Sequence, residues 1–326
     1  MMKTTERRAR WPWAVARVIF SCLLLAWALH AAPLSTIVSG LRRADPWLLI
    51  AGMLLGLLTR FAAAERTQVI SRALGLLVTR RQTVETLFIS NFYALLSPGP
   101  VLSGVVTVYR YKNYGASVTG SVGSLLASRA IECAVFVVLG TACVLIDPRV
   151  ALHSVEYPLQ LAVAAIAAMA VAICAWWLLH RRQQRNGTPV ALSPNAVSSV
   201  VDKLRAVWHD VVSRGPRMAL QAAIPATVQV ILAGAAVAVL ARSLSIEMSL
   251  VTAIWVSAAV YAVVLLPISI AGLGVREVTL IKSLGLLGVS AQSAVALSVL
   301  LFADPVVNAM IGGVLQFRSA MVARAR

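Results

Sequence analysis

Apolar runs of about 20 residues recur along almost the whole of this 326-residue sequence. A helix of that length crosses the hydrocarbon core of a bilayer. Since 60% of the residues are hydrophobic and only 13% are charged, an ordinary water-soluble core is excluded. No long polar stretch remains that could fold as a separate soluble domain. The sequence therefore predicts one integral membrane domain over residues 1–326, an all-α polytopic bundle of transmembrane helices.

The apolar runs predict seven or eight membrane spans, depending on how two interrupted segments are treated. Neither the four cysteines nor the four histidines have the spacing of metal ligands, so we expect no metal site and no cofactor. The uninterrupted spans are predicted at residues 13–31, 46–64, 120–146, 159–179, 219–241, 249–268 and 291–316.

The positive charge of the chain indicates its orientation. The formal net charge is +17, but Lys and Arg lie in short segments between apolar runs, which argues against nucleic-acid binding and is typical of cytoplasmic loops. We expect a multi-pass protein of the bacterial cytoplasmic membrane with a cytoplasmic N-terminus. The basic segments assigned to the cytoplasm are residues 1–13, residues 180–217, and the loop after the second span with Arg66, Arg72, Arg80 and Arg81, whereas residues 147–158 are assigned outside.

This orientation constrains residues 87–108. Two predicted spans already separate the basic loops, so a third crossing would place one of those loops on the wrong side. The segment also contains residues that interrupt a helix, namely Asn91, Pro98, Gly99 and Gly104. A re-entrant hairpin fits both observations, and an ordinary kinked helix is the alternative.

Residues 265–289 repeat the same order of features, so the sequence predicts two interrupted hairpins in a pseudo-repeat. Interrupted segments at corresponding positions of two halves are typical of transporter binding sites. The first copy contains Pro98, Gly99, Gly104, Arg110, Gly115 and Ser117, and the second contains Pro267, Gly272, Gly274, Arg276, Gly288 and Ser290.

A cytoplasmic amphipathic helix is predicted at residues 195–212. Apolar residues recur there at helical spacing, with charged residues on the other faces. Such a helix either lies at the membrane surface or packs on the ends of the spans.

Charged residues inside the apolar segments are the candidate functional residues. Arg129 and Glu132 are spaced to pair on one helix. This is either a structural ion pair or a site where Arg129 meets a lipid phosphate and Glu132 positions it. Arg60 and Glu65, at the end of the second predicted span, are interpreted as side chains that reach the membrane surface.

Two further groups of polar residues lie in the second half. Arg276 and Glu277 follow Gly272 and Gly274, so a helix N-terminus there could present backbone N–H groups to an anion. Adjacent helical residues do not face each other, and separate partners are expected for Arg276 and Glu277.

Asp304 and Asn308 lie one turn apart on one face of the last span. They either complete a ligand cavity, bind a coupling proton or cation, or hold helices together.

These motifs resemble the membrane region of lysylphosphatidylglycerol synthases and its stand-alone, flippase-like relatives. The resemblance rests on Pro98, Gly104 and Arg110, on Ser128-Arg129-Ala130-Ile131-Glu132, and on LPISIAGLGVRE at residues 266–277 followed by Gly288. The family commonly has Glu-Arg in the region of Arg129 and Gly-Glu-x-x-Arg near Gly104. Ser128 replaces that Glu here, and Val105 and Val106 follow Gly104, so part of the first site is altered.

The resemblance implies a lipid flippase or lipid transporter for an anionic or glycosylated lipid. The lipid would be a phospholipid, a polyprenyl-linked sugar or, in one branch of the family, a hopanoid-related lipid. Head-group binding is expected from Arg110, Arg129, Glu132, Arg276, Glu277, Asp304 and Asn308. The expected partners are membrane lipids and, if the protein is instead an accessory subunit, lipid-synthesis enzymes.

After a transporter and an accessory subunit, the third alternative is an enzyme that transfers a group onto a lipid. The sequence favours it least, and we expect no enzymatic activity. The bifunctional synthases carry a soluble aminoacyl-transfer domain, whereas this sequence ends at Arg326 after its last span. No nucleotide-binding loop and no acyltransferase-like His-Asp pair occurs in the sequence, so no catalytic residues are assigned.

Overall fold

The computed structural model describes residues 44–96, 101–147, 215–265 and 274–324, and within these ranges the chain forms eight α-helices. The predicted spans 13–31 and 159–179, the amphipathic helix 195–212, and Pro98, Gly99, Pro267 and Gly272 lie outside the described residues. The helices are α1 (Pro46–Ala73), α2 (Arg80–Leu96), α3 (Val101–Asn113), α4 (Val118–Ile146), α5 (Gly215–Ser243), α6 (Leu250–Leu265), α7 (Val275–Gly285) and α8 (Ala291–Arg324).

Four of these helices are long and apolar enough to cross a membrane: α1, α4, α5 and α8. They confirm the predicted spans 46–64, 120–146, 219–241 and 291–316, although each helix is longer than its prediction. The described part of α6 is a shorter apolar helix within the predicted span 249–268. The protein is an all-α polytopic membrane protein.

The C-terminal end of α1 corrects the sequence interpretation. The helix continues to Ala73, so Arg66 and Arg72 belong to α1 and their assignment to a loop is wrong. The reason is a stripe of small and polar residues at helical spacing that is buried along the whole helix, which makes Arg66 a buried residue. The stripe consists of Gly52, Gly56, Thr59, Ala63, Arg66 and Ile70.

The eight helices form two copies of one unit, each with a long helix, two short helices and a second long helix. The packing repeats as well. α2 packs on α8 as α6 packs on α4, α3 packs on α4 as α7 packs on α8, and α1 packs on its own counterpart, α5. The predicted pseudo-repeat is confirmed at the level of helix order and packing.

Equivalent turns join the helices in the two copies. The turn after α1 has a positive φ at Gly75 (74°), and the turn after α5 has one at Ser245 (59°). The turns before α4 and α8 have positive φ at Gly115 (86°) and Gly288 (77°). A non-glycine residue rarely adopts this conformation, so Ser245 indicates that the repeated turn imposes it.

The sequence comparison of the two hairpins is correct for Gly and Ser but wrong for Arg110 and Arg276, which are not equivalent. Gly115 and Gly288 are equivalent, as are Ser117 and Ser290, which follow two residues later. However, Arg110 lies in the last turn of α3, whereas Arg276 lies in the first turn of α7. The two hairpins therefore have the same backbone arrangement, but their charged side chains lie at different positions.

The central pair of helices, α1 and α5, is antiparallel. Near the start of α1, a Cβ added to Gly52 would lie 2.6 Å from the side chain of Leu240, near the end of α5. At the opposite end of the pair, Ile70 packs in one cluster with Ala222. Because Gly75 is equivalent to Ser245, Gly52 is equivalent to Ala222 and Ile70 to Leu240, so the two contacts are copies of each other. The two-fold axis that relates them passes midway between them, close to Phe61.

This arrangement makes the two halves an inverted repeat. A two-fold axis that relates antiparallel helices is perpendicular to them, so for membrane-spanning helices it lies in the plane of the membrane. Transporters built from such repeats bind their substrates near the middle of the bilayer. Phe61 and its neighbours on α1 therefore mark the centre of the inverted repeat formed by the described helices.

Helices α2 and α3 form a hairpin whose two ends meet. Leu76 and Val78, which precede α2, pack in one cluster with Tyr111 and Ala116, at the end of α3 and after it. The two helices also pack against each other, so a single kinked helix through residues 87–108 is excluded. Both ends of the hairpin therefore lie on the same side of the bundle.

The first hairpin is fixed to the last helix by an unusually close contact. A Cβ added to Gly312 of α8 would collide with the carbonyl oxygen of Phe88 on α2. In the corresponding region of the other half, a Cβ added to Gly140 of α4 would lie 2.6 Å from the Cβ of Ala258 on α6. Backbone approaches of this kind through small residues are typical of helix packing in membranes.

Replacement of Gly312 by Ala should loosen this contact. Because the added methyl group meets backbone rather than a flexible side chain, we expect Gly312→Ala to lower the free energy of unfolding by about 1–3 kcal/mol. Gly285→Ala is the matched control, since no atom lies within 4 Å of a Cβ at that position. Thermal unfolding of the purified protein in detergent measures both variants. Equal stability of the two would contradict the contact.

Cysteine labelling tests the hairpin in the membrane. In a background without the four native cysteines, Leu77→Cys and Asn113→Cys should react with an impermeant reagent from the same side, because the ends of the hairpin meet. Glu247→Cys should react from the opposite side, because its turn is the inverted counterpart of the turn at Gly75. Labelling of Leu77→Cys and Asn113→Cys from opposite sides would mean that the segment crosses the bilayer.

Candidate functional site

A buried polar network joins α1, α4 and α5 within the bundle. The side chains of Arg66 and Glu132 are only 4% and 5% exposed, and Arg66 Nη2 lies 3.2 Å from Glu132 Oε2. Gln229 of α5 accepts a hydrogen bond from Arg66 Nη1 and donates one of 2.7 Å to Glu132 Oε1. Arg66 Nε also donates to Ser128 Oγ at 3.0 Å. Each helix of this seam therefore supplies a member of one network.

Arg129 is the second guanidinium of this network. Its Nη1 donates to Glu132 Oε2 at 2.9 Å, so the ion pair whose i, i+3 spacing was recognised in the sequence is present. Unlike Arg66, however, the side chain of Arg129 is 54% exposed. Two cations thus share one carboxylate, and the described members of the network carry a net charge of +1. The accessible part of that positive charge is Arg129.

Small residues on α4 let the three helices approach closely enough to form the network. Ser121, Ser124 and Ser128 are buried and lie on one face of α4. Ser124 Oγ is 2.8 Å from Ser71 Oγ of α1, which joins the two helices next to the network. Ser128 lies on the same face, and its hydroxyl accepts the hydrogen bond from Arg66.

Aromatic residues pack beside this network. Tyr261 of α6 stacks on Phe136 of α4, with ring centroids 4.1 Å apart and an angle of 6° between the planes. The Tyr261 hydroxyl is 3.7 Å from the sulfur of Cys133, which follows Glu132. The second half of α6 is therefore held against α4 at the level of the ion pair.

Arg276 and Glu277 form a separate cluster at the start of α7. Arg276 Nη2 lies 3.3 Å from Glu277 Oε1, and both side chains bond to Ser298 Oγ of α8, at 3.1 and 2.7 Å. The expectation of separate partners is therefore wrong, because Ser298 lets the two side chains turn towards each other. The Arg276 guanidinium also lies over the ring of Phe302, 5.0 Å from its centroid.

The start of α7 is capped from within the protein. Glu277 Oε2 accepts a 2.6 Å hydrogen bond from the N–H of Gly274, which closes a capping interaction at the N-terminus of α7. The sequence interpretation expected these N–H groups to face an anionic ligand. The carboxylate of Glu277 occupies that role for the N–H of Gly274.

Asp304 and Asn308 lie on one face of α8, as their spacing predicts, and meet Arg60 of α1. Asn308 Nδ2 donates to Asp304 Oδ1 at 3.0 Å, and Arg60 Nη2 donates to Asp304 Oδ2 at 2.8 Å. The interpretation of Arg60 as a side chain that only reaches the membrane surface is therefore wrong. Glu65 does pair near the surface, with exposed Arg80 at 2.5 Å.

The polar residues of the first hairpin make contacts of their own. Arg110 donates to the Tyr114 hydroxyl at 2.6 Å and to Thr86 Oγ1 at 3.4 Å. Asn91 lies on α2 with its buried Nδ2 atom lacking a partner among the described residues. None of the contacts described for Arg110 reaches the Arg66–Glu132 network.

An open apolar groove of about 570 Å³ runs between α3 and α4. Gly104 contributes to it because the absence of a side chain keeps α3 close to Leu125 of α4, 3.2 Å from an added Cβ. Lys112, an exposed residue of α3, also lines the groove. The groove is lined by Gly104, Val105, Val108, Tyr109, Lys112, Val122 and Leu125.

Sequence reasoning missed Arg66, Gln229, Ser298 and the contact of Arg60. The first was detectable, because Arg66 continues the stripe that begins at Gly52 and Gly56. Gln229 and Ser298 carry no such signal, since a single polar residue in an apolar helix does not identify its partner. The structure places the predicted head-group residues other than Arg110 in three clusters, around Glu132, Glu277 and Asp304. No hydrogen bond or ion pair described for these side chains joins one cluster to another.

Comparison with known protein families identifies the chain. Residues 14–307 match the family described as Lysylphosphatidylglycerol synthase TM region. The chain belongs to this family. As a family member it is a membrane protein of lipid metabolism or transport, and the expectation drawn from residues 266–277 and the Arg129 region is confirmed. Comparison with individually curated proteins finds no match.

The buried network should be sensitive to loss of its carboxylate. In this family member, Glu132→Gln would leave Arg66 and Arg129 without a counter-ion, so we expect it to lower the free energy of unfolding by about 3–5 kcal/mol. Glu85→Gln, which affects an exposed ion pair with Arg81, is the control and should change stability by less than about 1 kcal/mol. Unfolding in mixed detergent measures both. Similar losses would mean that the network contributes no special stability.

Proposed function

We propose that the protein moves anionic polar lipids between the leaflets of a membrane, as a lipid flippase or lipid transporter. The observation that carries the proposal is the accessible Arg129 guanidinium, which shares Glu132 with the buried Arg66 inside a bundle of membrane-spanning helices. A lipid phosphate that bonds to Arg129 would neutralise the remaining positive charge of this network.

The energetics of the bilayer support this role. An Arg at the centre of a membrane costs about 2.5–3.5 kcal/mol on insertion scales, so an incompletely neutralised guanidinium there is retained for a reason. A phosphate offers the planar guanidinium two parallel acceptors. Glu132 accepts hydrogen bonds from both Arg129 and Gln229. In this proposal, the bond from Arg129 orients its guanidinium before the lipid binds.

The architecture provides the path. Inverted repeats with interrupted helices expose a central site to the two sides in turn, and this chain has two equivalent hairpins around the α1–α5 pair. The apolar groove between α3 and α4 suits an acyl or prenyl tail, with Lys112 available to an anionic group. In this proposal Arg110, Arg276 and Glu277 shape the hairpin ends that surround the head group.

We further propose a location in the bacterial cytoplasmic membrane, with the N-terminus inside. Exposed Arg72, Arg80 and Arg81 cluster at the C-terminal end of α1, whereas the equivalent end of α5 has Arg242 and the acidic Glu247. Since basic loops remain in the cytoplasm, the turn at Gly75 is assigned inside and the turn at Ser245 outside.

Reconstitution tests the function. In liposomes with fluorescent phosphatidylglycerol, the wild type should accelerate movement between leaflets, and Arg129→Ala should reduce that acceleration by about 10- to 100-fold. This range corresponds to about 1.5–3 kcal/mol for hydrogen bonds to a charged group. Arg129→Lys should fall in between, because it retains charge but loses the bidentate geometry.

Arg81→Ala is the matched control, since it removes an exposed Arg of the same chain. Unchanged movement by folded Arg129→Ala would contradict the head-group site. No movement of any anionic, glycosylated or hopanoid-related lipid by the wild type, together with binding to lipid-synthesis enzymes, would instead favour an accessory role.

A further inference from the structure

The cluster of Arg60, Asp304 and Asn308 lies at the centre of the inverted repeat. Arg60 is adjacent to Phe61, where α1 and α5 cross the two-fold axis, so it lies near the middle of the membrane. Arg66 is six residues further along α1, about 9 Å away along the helix. The two arginines of α1 therefore meet carboxylates from different halves, Glu132 from α4 and Asp304 from α8.

The hydrogen bonding of this cluster is incomplete. Arg60 Nε and Asn308 Oδ1 are buried, and neither has a partner among the described residues. One is a donor and the other an acceptor, and both side chains bond to the same carboxylate, that of Asp304. A static ion pair in a low-dielectric interior normally satisfies such groups. Among the described residues, the cluster therefore has one free donor and one free acceptor beside the ion pair.

The backbone on both sides of Asp304 has special features. On α1, Gly56 leaves the room that the carboxylate occupies, because an added Cβ would collide with Asp304 Oδ1. Pro305 follows Asp304 within α8 and removes the helical hydrogen bond to the carbonyl of Leu301, which weakens the helix at this point. α8 also packs less extensively on α1 than its counterpart α4 packs on α5.

We propose that Asp304 is a proton-binding site that couples proton uptake to binding of an anionic lipid. Asp304 takes up one proton and becomes a neutral carboxylic acid, which releases Arg60. The free guanidinium then binds the lipid phosphate, so the net charge of the site does not change. When the lipid leaves, Asp304 loses the proton and pairs with Arg60 again. This inference rests on the function proposed above.

The charge balance favours a proton over a metal ion. Arg60 without Asp304 would be an unpaired cation near the membrane centre, which is costly, so an anion must replace the carboxylate as it is neutralised. A metal cation would bring a second positive charge next to Arg60.

The other charged groups that face α8 have partners of their own. On α7, Arg276 and Glu277 pair with each other and with Ser298. On α2, Glu85, near the Phe88 contact, pairs with Arg81. The described residues of α5 bring no ionic partner to Asp304. Among the described residues, Arg60 is therefore the charged group that loses its ion-pair partner when Asp304 binds a proton.

Proton uptake on lipid binding tests this coupling. Purified protein in weakly buffered detergent receives phosphatidylglycerol, while a fluorescent lipid reports binding and a pH-sensitive dye reports protons. We expect uptake of about one proton per bound lipid, as one-to-one linkage requires. Zwitterionic phosphatidylcholine should cause none. The double variant Arg60→Gln/Asp304→Asn, which leaves no unpaired charge, should abolish the uptake, and Glu85→Gln should preserve it.

The results separate the two proposals. Lipid binding without proton uptake by the wild type would overturn the coupling and leave the transport function intact. Uptake by the double variant equal to that of the wild type would also overturn it, as would a requirement for sodium ions. If the wild type bound no anionic lipid, the proposed function would fail and the coupling would fail with it.

Discussion

The close antiparallel contact of α1 with α5 determines the rest of the architecture. Gly52 of α1 packs directly against Leu240 of α5, and Ile70 packs with Ala222 at the other end of the pair, so the two helices are in contact along their length. Because the helices are equivalent and antiparallel, the hairpins and outer helices that pack on them must be related by a two-fold axis in the membrane plane. The hairpin α2–α3 reaches α8, and the hairpin formed by α6 and α7 reaches α4, as this axis requires.

Within this repeated backbone, the charges are not repeated. Counted from the equivalent turns, Arg129 of α4 corresponds to Phe302 of α8, and Glu132 corresponds to Pro305. The carboxylate of the first half, Glu132, therefore lies in a network with surplus positive charge. The two carboxylates of the second half each form a neutral pair, Glu277 with Arg276 and Asp304 with Arg60 of α1. A duplicated scaffold with different side chains can separate two tasks, because the backbone geometry is kept while each site changes its chemistry.

The fold was more predictable from the sequence than the site. Span positions follow from hydropathy, and the hairpin at residues 87–108 follows from charge parity together with Pro98 and Gly104, since these are local or additive signals. The pairing of Arg129 with Glu132 is also local, because both lie on one helix. Arg66 and Arg60 required knowledge of where α1 ends and which helices it meets. A span estimate of about 20 residues ends α1 too early, because the buried part of this helix extends beyond the minimum length of a crossing.

The difference between the surplus charge at Arg129 and the neutral pair at Arg60 also suggests an order of events. A guanidinium that is already incompletely neutralised and 54% exposed can accept a phosphate without breaking an existing pair. Arg60 can do so only after Asp304 is neutralised, and it lies closer to the two-fold axis. In the proposed transport cycle, a head group would therefore meet Arg129 first and Arg60 second. Entry would then use a permanently available charge and passage through the membrane centre a conditional one, so that the two proposed steps would be controlled separately.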